Sequence, residues 1–314
     1  MLLDSHAHLN FNAFKDDADE VIRRSLSNNA WLINVGSQFE TSKRAVAIAE
    51  KYPVGVYAAI GLHPIHVNTG VIKPKTDAGE TESLLEDFDI EEYRQLALSS
   101  KKVVAIGEIG LDYYYKPKTK GRLEEFKKKQ REVFEKQLDL ANELGLPIIF
   151  HCRFAHEDLI NILSSKGVKP PVGGHAPFTG FQASRLRASF AEVASATKAE
   201  QGFGGQVSFK IAGVIHCFTG TSEEARQYLA MGLYLGFNGI IFKLDLAEVI
   251  KNTPLEKMLI ETDCPYLTPP AAGDGRNEPL YVKYVCEEIA KIKNLSLQDI
   301  SEKTTANARN LFKI

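Results

Sequence analysis

Eight short apolar segments alternate with amphipathic helical segments along the 314 residues, and this alternation predicts an α/β protein with a (β/α)8 TIM barrel. The apolar segments are continuous rather than alternately polar and apolar, which is typical of parallel strands buried on both faces. A barrel of this kind takes about 250 residues as one unit. We therefore expect a single domain over residues 1–314, with a doubly wound open sheet as the alternative.

The predicted strands are short and rich in β-branched and aliphatic residues. They lie at residues 2–3, 31–36, 54–60, 103–110, 147–151, 213–218, 233–239 and 257–263. Helical periodicity fills most of the gaps between them. The predicted helices cover residues 17–29, 41–50, 122–144, 222–231, 278–292 and 297–311. Because strands and helices take turns along the chain, we expect parallel βαβ units.

End signals support two of these helices. Gly145 follows the helix predicted at 122–144, and glycine is common directly after the last helical turn. Thr221 or Ser222 precedes a first turn that carries glutamates, which is typical of a capped helix start.

Two segments interrupt the alternation. Residues 69–88 are polar and acidic, and they predict a surface loop. Residues 166–212, between the fifth and sixth strands, are rich in Gly, Ser, Ala and Phe. Six lysines and arginines against two glutamates give this second segment a net charge of +4. Segments this long without regular structure are uncommon inside a domain, so we expect a functional surface insertion.

The composition excludes several classes of protein. There are 38 Lys and Arg against 40 Asp and Glu, so no basic surplus holds nucleic acid by bulk electrostatics. The four cysteines are far apart with no CxxC pair, which argues against a disulfide framework or a zinc ribbon and favours a reducing compartment. No apolar run is long enough to span a membrane, and we expect a cytoplasmic location, with the nucleus as an alternative.

Side chains that can bind a metal follow six of the eight predicted strands. They are Asp4, His6 and His8 after the first strand, His63 after the third, Glu108 after the fourth, His151 after the fifth, His216 after the sixth, and Glu261 and Asp263 after the eighth. In a barrel the carboxyl ends of all strands meet at one face, where such folds carry their active sites. We therefore expect a metal site at this face.

The number of candidate ligands predicts more than one ion. His6 and His8 are two residues apart on an extended chain, so both side chains point to the same side. Together with Glu108, His151, His216 and Asp263 they make six ligands, more than one tetrahedral ion needs. Two metals bridged by a carboxylate account for six ligands better. Ligation rich in histidine suits zinc or manganese.

These residues stand in motifs that resemble a known family. DSHAHL, GLHP, GEIGLDYYY, PIIFHCR, HCFTG, ETDCPYLTP and RNEP occur in this order. The set is similar to TatD-like metal-dependent deoxyribonucleases of the amidohydrolase-like superfamily, and it covers nearly the whole chain except 69–88 and 166–212. The resemblance implies a TIM barrel with divalent-metal-dependent nuclease activity, and it points to magnesium for that activity.

The resemblance also implies a role for each ligand. It implies a first metal on His6, His8 and Asp263, a second metal on His151 and His216, and Glu108 as the bridge between them. Glu108 and Asp263 would thereby be catalytic. It places His63 near the scissile phosphate as a further catalytic and substrate-binding residue.

Several other side chains have two possible interpretations. Arg153, two residues after His151, is either a phosphate ligand or a solvated arginine. Arg276 either contacts substrate or forms a salt bridge within its loop. The side chains of residues 113–115 either stack on bases or pack at the rim. We expect no ligand role for three further histidines, and two cysteines are expected to be core thiols that point away from the ligands. These are His66, His156 and His175, and Cys152 and Cys217.

The sequence thus favours a deoxyribonuclease that hydrolyses DNA phosphodiester bonds by a two-metal mechanism. We expect two divalent cations, Mg²⁺ or Mn²⁺ for activity with Zn²⁺ possible in the purified protein, and a 3'–5' exonuclease that serves DNA degradation or repair. DNA is the expected partner, with no membrane and no obligate protein partner. The positive 166–212 segment would contact substrate phosphates.

Two alternatives remain open. One is an amidohydrolase that acts on a small cyclic amide or ester. The fourth strand carries Glu108, where such enzymes often have a carboxylated lysine, and this favours the nuclease. The other is a metal-binding barrel without catalysis.

Overall fold

The computed structural model describes residues 1–72, 79–80, 85–168 and 211–314, and within them eight parallel strands form one sheet in sequence order. The strands are β1 (Leu2–Ala7), β2 (Ala30–Val35), β3 (Val56–Ile60), β4 (Val103–Asp112), β5 (Ile148–Arg153), β6 (Gly213–Ile215), β7 (Tyr234–Phe237) and β8 (Met258–Ile260). All seven neighbouring pairs in this order are parallel. The predicted (β/α)8 barrel is therefore confirmed.

The barrel closes between its first and last strands, just beyond the end of β8. Ala7 and Cys264 form a parallel bridge. The Asp263 amide donates to the His6 carbonyl at 2.9 Å, and the His8 amide donates to the Cys264 carbonyl at 2.9 Å. This closure excludes the doubly wound open sheet.

Nine helices lie between and after the strands in the described part of the chain. They are α1 (Ala18–Ser27), α2 (Phe39–Glu50), α3 (Ile90–Ser99), α4 (Lys120–Leu144), α5 (His156–Ser165), α6 (Ser222–Ala230), α7 (Ala247–Asn252), α8 (Val282–Lys293) and α9 (Leu297–Phe312). Six of them match the predicted helices, whereas α3, α5 and α7 were not predicted. α3 buries only Tyr93 and Ala97, and α7 has six residues, so their apolar periodicity is weak.

Helix α9 covers the amino end of the barrel. Its Leu311 and Phe312 pack on a buried cluster of inward-facing strand residues that includes Ile33 and Ile149. The Asn307 amide also donates to the carbonyl of Met258, the first residue of β8, at 2.9 Å. The amino end is thus filled with side chains, and the carboxyl end is the one that remains for a site.

Two buried glutamines of α4 hold the carboxyl ends of β3 and β4. Gln137 accepts from the Leu62 amide at 2.8 Å and donates to the Leu62 carbonyl at 3.0 Å. Gln130 accepts from the Asp112 amide at 3.0 Å and donates to the Pro64 carbonyl at 3.1 Å. These side chains replace the sheet hydrogen bonds that the strands lose where they separate.

The acidic segment 69–88 is more than the surface loop that was predicted, because two of its glutamates point inward. Glu80 lies 2.6 Å from Nε2 of His66. Burial opposes the charged form of Glu80, but the contact with His66 outweighs it and lowers the pKa of Glu80 to about 2. Glu86 accepts from the Tyr93 hydroxyl at 2.8 Å. The sequence pattern did not indicate these partners because acidic side chains are mostly exposed.

Most of the predicted insertion at 166–212, and with it five of its six basic residues, lies outside the described residues. Among the helices that are described, none combines the length and the apolar character needed to cross a bilayer.

Replacing Gln137 by leucine tests the role of these glutamines. Gln137→Leu leaves the buried amide and carbonyl of Leu62 without partners, so we expect the free energy of unfolding to fall by about 2–4 kcal/mol. Denaturant titration measures this change. Lys136→Ala, at an exposed position of the same helix, is the control. A Gln137→Leu protein as stable as this control would show that the glutamine is dispensable.

Candidate metal centre

The first half of the centre is built by β1 and by the segment that follows β8. His6 and His8 bring their Nε2 atoms to 3.0 Å from one another. Asp263 places Oδ1 at 3.4 Å from His8 Nε2 and at 3.8 Å from His6 Nε2. All three side chains are largely buried, and they form one of the groups in the described chain that could hold a metal ion.

Glu108 lies between this group and a second set of histidines. Its Oε2 is 3.4 Å from His6 Nε2. Its Oε1 is 2.5 Å from His151 Nδ1, 3.2 Å from His216 Nε2 and 3.4 Å from His63 Nε2. The two oxygens of one carboxylate therefore face different groups of ligands. β5 and the segments that follow β3 and β6 supply these histidines, and β4 supplies Glu108.

Three of the histidines are oriented by an acceptor on the far side of the ring. His8 Nδ1 donates to the Val35 carbonyl at 2.8 Å. His216 Nδ1 donates to Glu261 Oε1 at 2.9 Å, and His151 Nε2 donates to Asp112 Oδ2 at 3.0 Å. In the neutral ring the other nitrogen then carries a lone pair, and in all three rings that nitrogen faces the centre.

This arrangement fits bound cations. The lone pairs of His8, His151 and His216 point into the same space as the carboxylate oxygens of Glu108 and Asp263. All of these atoms are hydrogen-bond acceptors, and acceptors do not stabilise one another. Positive charge is needed between them, either as protons on the rings or as metal ions. Histidine with an outer carboxylate or carbonyl is the arrangement that proteins use around metals.

The electrostatics of the histidines differ with their neighbours. Burial opposes the charged form of His216, but Glu261 and Glu108 hold its pKa well above its ordinary value. Burial and the neighbouring His151 lower the pKa of His63 to about 4, so His63 is neutral at pH 7. The histidines around Glu108 in turn hold the pKa of this buried carboxyl well below its ordinary value, against the effect of burial.

Two carboxylates that orient ligands were missed as functional residues. Glu261 is fully buried and accepts from His216 and from the Cys217 amide at 2.6 Å. Asp112 bonds both His151 and Arg153. The sequence contained a signal for each. Asp112 is four residues after Glu108, and Glu261 is two residues before Asp263. In an extended chain an even spacing puts both side chains of a pair on the same side.

Asp4 stands at the barrel closure rather than in the metal groups of the described residues. It accepts from the Thr262 amide at 2.9 Å and from the Thr262 hydroxyl at 2.5 Å. Burial raises the pKa of Asp4 to about 8. Its position supports the segment that carries Asp263.

The prediction that Cys217 points away from the ligands is wrong. Its Sγ lies within 4.8 Å of ligand atoms of His216 and Asp263. β6 ends at Ile215, and Cys217 has a φ of 45°, so the alternation of a strand no longer applies there. Cys152, by contrast, is buried in the core beside His156, as expected.

The two predicted phosphate-binding arginines have protein partners. Arg153 lies beside the centre, with Nε and Nη2 at 2.8 and 2.7 Å from Asp112 Oδ2. Arg276 bonds Asp17, at 3.0 Å through Nη1, and its guanidinium lies 3.9 Å from the centroid of the Phe14 ring. Arg276 therefore forms a salt bridge, as in the alternative interpretation, but its partner Asp17 lies just before α1 and not in its own loop. Arg153 is joined to the candidate ligands through Asp112.

The histidines predicted to be non-ligands are in other environments. His66 pairs with Glu80, and His156 bonds the Tyr228 hydroxyl at 3.0 Å. Neither belongs to a metal group of the described chain. His175 lies outside the described residues.

Glu261→Gln tests whether this carboxylate tunes the metal ligands. Loss of its charge should weaken the orientation and basicity of His216, and we expect metal affinity to fall about 10–100-fold while the fold is retained. Competition with a chromophoric chelator measures the affinity. Glu256→Gln, at an exposed position, is the matched control. Equal metal affinities of the two variants would show that Glu261 contributes only to packing.

Comparison with known proteins shows the family. The model of the family described as TatD-related DNases matches residues 3–313. The chain is 36% identical over 318 residues to an uncharacterised metal-dependent hydrolase, YabD, of Bacillus subtilis, with all of both chains covered. It is 29% identical to the 3'-5' ssDNA/RNA exonuclease TatD of Erwinia tasmaniensis, again over all of both chains.

Solved structures show the same fold. YjjV, a TatD homologue from Escherichia coli, has a TM-score of 0.71 at 23% identity, with 100% of this chain and 98% of that chain covered. A TatD-family hydrolase from Entamoeba histolytica has a TM-score of 0.70 at 24% identity, with 99% and 97% covered. From the family match along nearly its whole length, together with the relative at 36% identity, it follows that this chain belongs to the TatD-related DNase family and is a metal-dependent hydrolase that acts on ester bonds.

Proposed function

We propose that this protein is a deoxyribonuclease that hydrolyses DNA phosphodiester bonds with two divalent cations. His6, His8 and Asp263 would hold one cation, and His151 and His216 the other. Glu108 would bridge the two. Support comes from the family, and from Glu108, which belongs to two of the four candidate metal groups in the described chain, one with His6 and His216 and one with His63 and His151.

The observation that carries this proposal is the position of Glu108. Oε2 faces His6 at 3.4 Å, whereas Oε1 faces His216 at 3.2 Å and His151 at 2.5 Å. A carboxylate that presents each oxygen to a different set of imidazoles has the geometry of a bridge. When bound, two divalent cations supply charge to the phosphoryl oxygen, an activated water and stabilisation of the leaving oxygen.

His63 is placed to donate a proton or a hydrogen bond. Its Nδ1 accepts from the Ile65 amide at 3.0 Å, so in the neutral ring the proton lies on Nε2. Nε2 points to the centre, 3.0 Å from His151 Nδ1 and 3.4 Å from Glu108 Oε1. Because its pKa is lowered to about 4, His63 stays neutral there and can serve the phosphate or the leaving oxygen.

The finer properties follow from relatives and from composition. The 3'–5' direction is proposed from the name of the Erwinia relative, and a role in DNA degradation or repair from the nuclease activity. Mg²⁺ or Mn²⁺ is the proposed metal for activity. The four cysteines are free, which supports a reducing compartment such as the cytoplasm.

Glu108→Ala is the direct test of the bridge. We expect it to abolish metal-dependent cleavage of a 5'-labelled DNA oligonucleotide and to lower the metal content, because both proposed ions lose a ligand. The fold should persist, since the core lies beneath the site. Elemental analysis, circular dichroism and a cleavage assay measure the three properties. Glu124→Ala, at an exposed position of α4, is the control.

Two results would contradict this function. A folded Glu108→Ala protein with normal turnover would exclude the bridged centre. Cleavage of a dihydropyrimidine, with no cleavage of DNA by the wild-type enzyme, would favour the amidohydrolase alternative.

His63→Ala separates proton donation from metal binding. We expect turnover to fall about 10²–10⁴-fold, the usual range for acid–base assistance, with metal content retained. His6→Ala, by comparison, should lose metal. Turnover and metal content are measured on the same samples. Loss of metal in His63→Ala would make His63 a ligand, and unchanged turnover would make it structural.

A further inference from the structure

Two large aromatic side chains stand exposed beside the metal centre. Tyr114 is 52% exposed and Phe154 is 71% exposed. Their rings stack on one another, with centroids 5.8 Å apart and an angle of 21° between the planes. Tyr115 packs edge-on against Tyr114 at 4.6 Å. We call Tyr114, Tyr115 and Phe154 the aromatic patch.

The backbone of Phe154 is unusual. Its φ of 57° lies in the left-handed region, which bulky residues rarely adopt. Residues held in this strained conformation cluster at functional sites. Here the residue in this conformation exposes an apolar ring to solvent instead of burying it in the core.

A cation completes the patch. The guanidinium carbon of Arg153 lies 4.6 Å from the centroid of the Tyr114 ring and 5.9 Å from that of Tyr115. Asp112 fixes this guanidinium through Nε at 2.8 Å and Nη2 at 2.7 Å. The planar group is therefore held over the aromatic rings instead of moving freely in solvent.

The same carboxylate joins the patch to the centre. Asp112 Oδ2 is 3.0 Å from Nε2 of His151, and Asp112 Oδ1 accepts from the Tyr114 amide at 2.8 Å. One buried side chain thus bonds a proposed metal ligand, the arginine and the backbone of the patch. The patch has a fixed position next to the place where the scissile phosphate would lie.

Basic residues continue from the patch along the loop between β4 and α4 and to the first residue of α4. Lys116, Lys118 and Lys120 are exposed, and none forms an ion pair with a residue that the structure describes. No acidic residue occurs between Asp112 and Glu124. Aromatic rings followed by free positive charge are the combination that binds single-stranded nucleic acid.

The geometry points to a nucleotide subsite in which Tyr114, Phe154 and Arg153 stack an unpaired base of the substrate next to the scissile phosphate. The inference rests on the proposed nuclease function. The strand would continue past Lys116, Lys118 and Lys120, which face its phosphates. Bases inside a duplex are already stacked and cannot use this surface, so the subsite selects single-stranded ends.

Cleavage kinetics on modified substrates test the subsite. Tyr114→Ala and Phe154→Ala are compared with Tyr114→Phe, which keeps the ring, and with Leu98→Ala, at a 70% exposed position of α3. The substrates are single-stranded oligonucleotides in which an abasic residue replaces one nucleotide at each position near the 3' end. We expect KM to rise about 5–100-fold in both alanine variants, and not in Tyr114→Phe or Leu98→Ala.

The base dependence is the specific signature. An abasic residue at one position should raise KM of the wild-type enzyme by a similar factor and leave KM of the alanine variants unchanged. Equal KM in all variants, or an alanine effect that persists at every abasic position, would overturn the subsite. A fall in the melting temperature of the alanine variants that accounts for their higher KM would also overturn the subsite, because the patch would then serve the packing of this chain.

A binding measurement separates this inference from the nuclease proposal. An oligonucleotide with 2-aminopurine near its 3' end and non-hydrolysable linkages is titrated with each metal-loaded protein, so that no bond is cleaved. Stacking should quench the fluorescence with wild type and with Tyr114→Phe, and not with the alanine variants. Quenching without metal-dependent cleavage would support the subsite and contradict the function. Cleavage with equal quenching in all variants would support the function and contradict the subsite.

Discussion

The site depends on one constraint, which is that hydrogen-bond acceptors face one another around a buried carboxylate. Glu108 is 4% exposed and has histidine nitrogens on both of its oxygens. Leaving such groups buried and uncompensated costs several kcal/mol, so the folded chain requires positive charge there. His8 and His216 cannot relieve the repulsion by turning, because Val35 and Glu261 hold the far side of their rings. The protein is thereby preorganised for cations.

The barrel makes this preorganisation possible by drawing on many strands. The candidate ligands stand in or just after several different strands, whose carboxyl ends meet at one face of the barrel. Gln137 fixes the backbone just before His63, and Gln130 fixes that of Asp112. Asp4, bonded to Thr262, fixes the segment after β8. Buried polar side chains that satisfy backbone groups at strand ends thus serve the site and the fold together.

The sequence predicts the barrel, and the meeting of the candidate ligands at one end of it, because both follow from local pattern. Continuous apolar runs specify parallel strands, and a histidine or carboxylate at the end of such a run must reach the rim. Partners across the barrel could not be predicted in this way. The bond from Asp112 to His151 and the salt bridge of Arg276 with Asp17 join elements whose relative position only the fold determines. Cys217 was misplaced because its strand ends at Ile215, three residues before the predicted end at residue 218.

The central claim is that Glu108 bridges two cations. Anomalous diffraction from crystals of the wild-type protein grown with Mn²⁺ tests it most directly. The account predicts two peaks, one beside His6, His8 and Asp263 and one beside His151 and His216, with an oxygen of Glu108 bound to each. A single peak, or two peaks of which one lies beyond reach of Glu108, would contradict it.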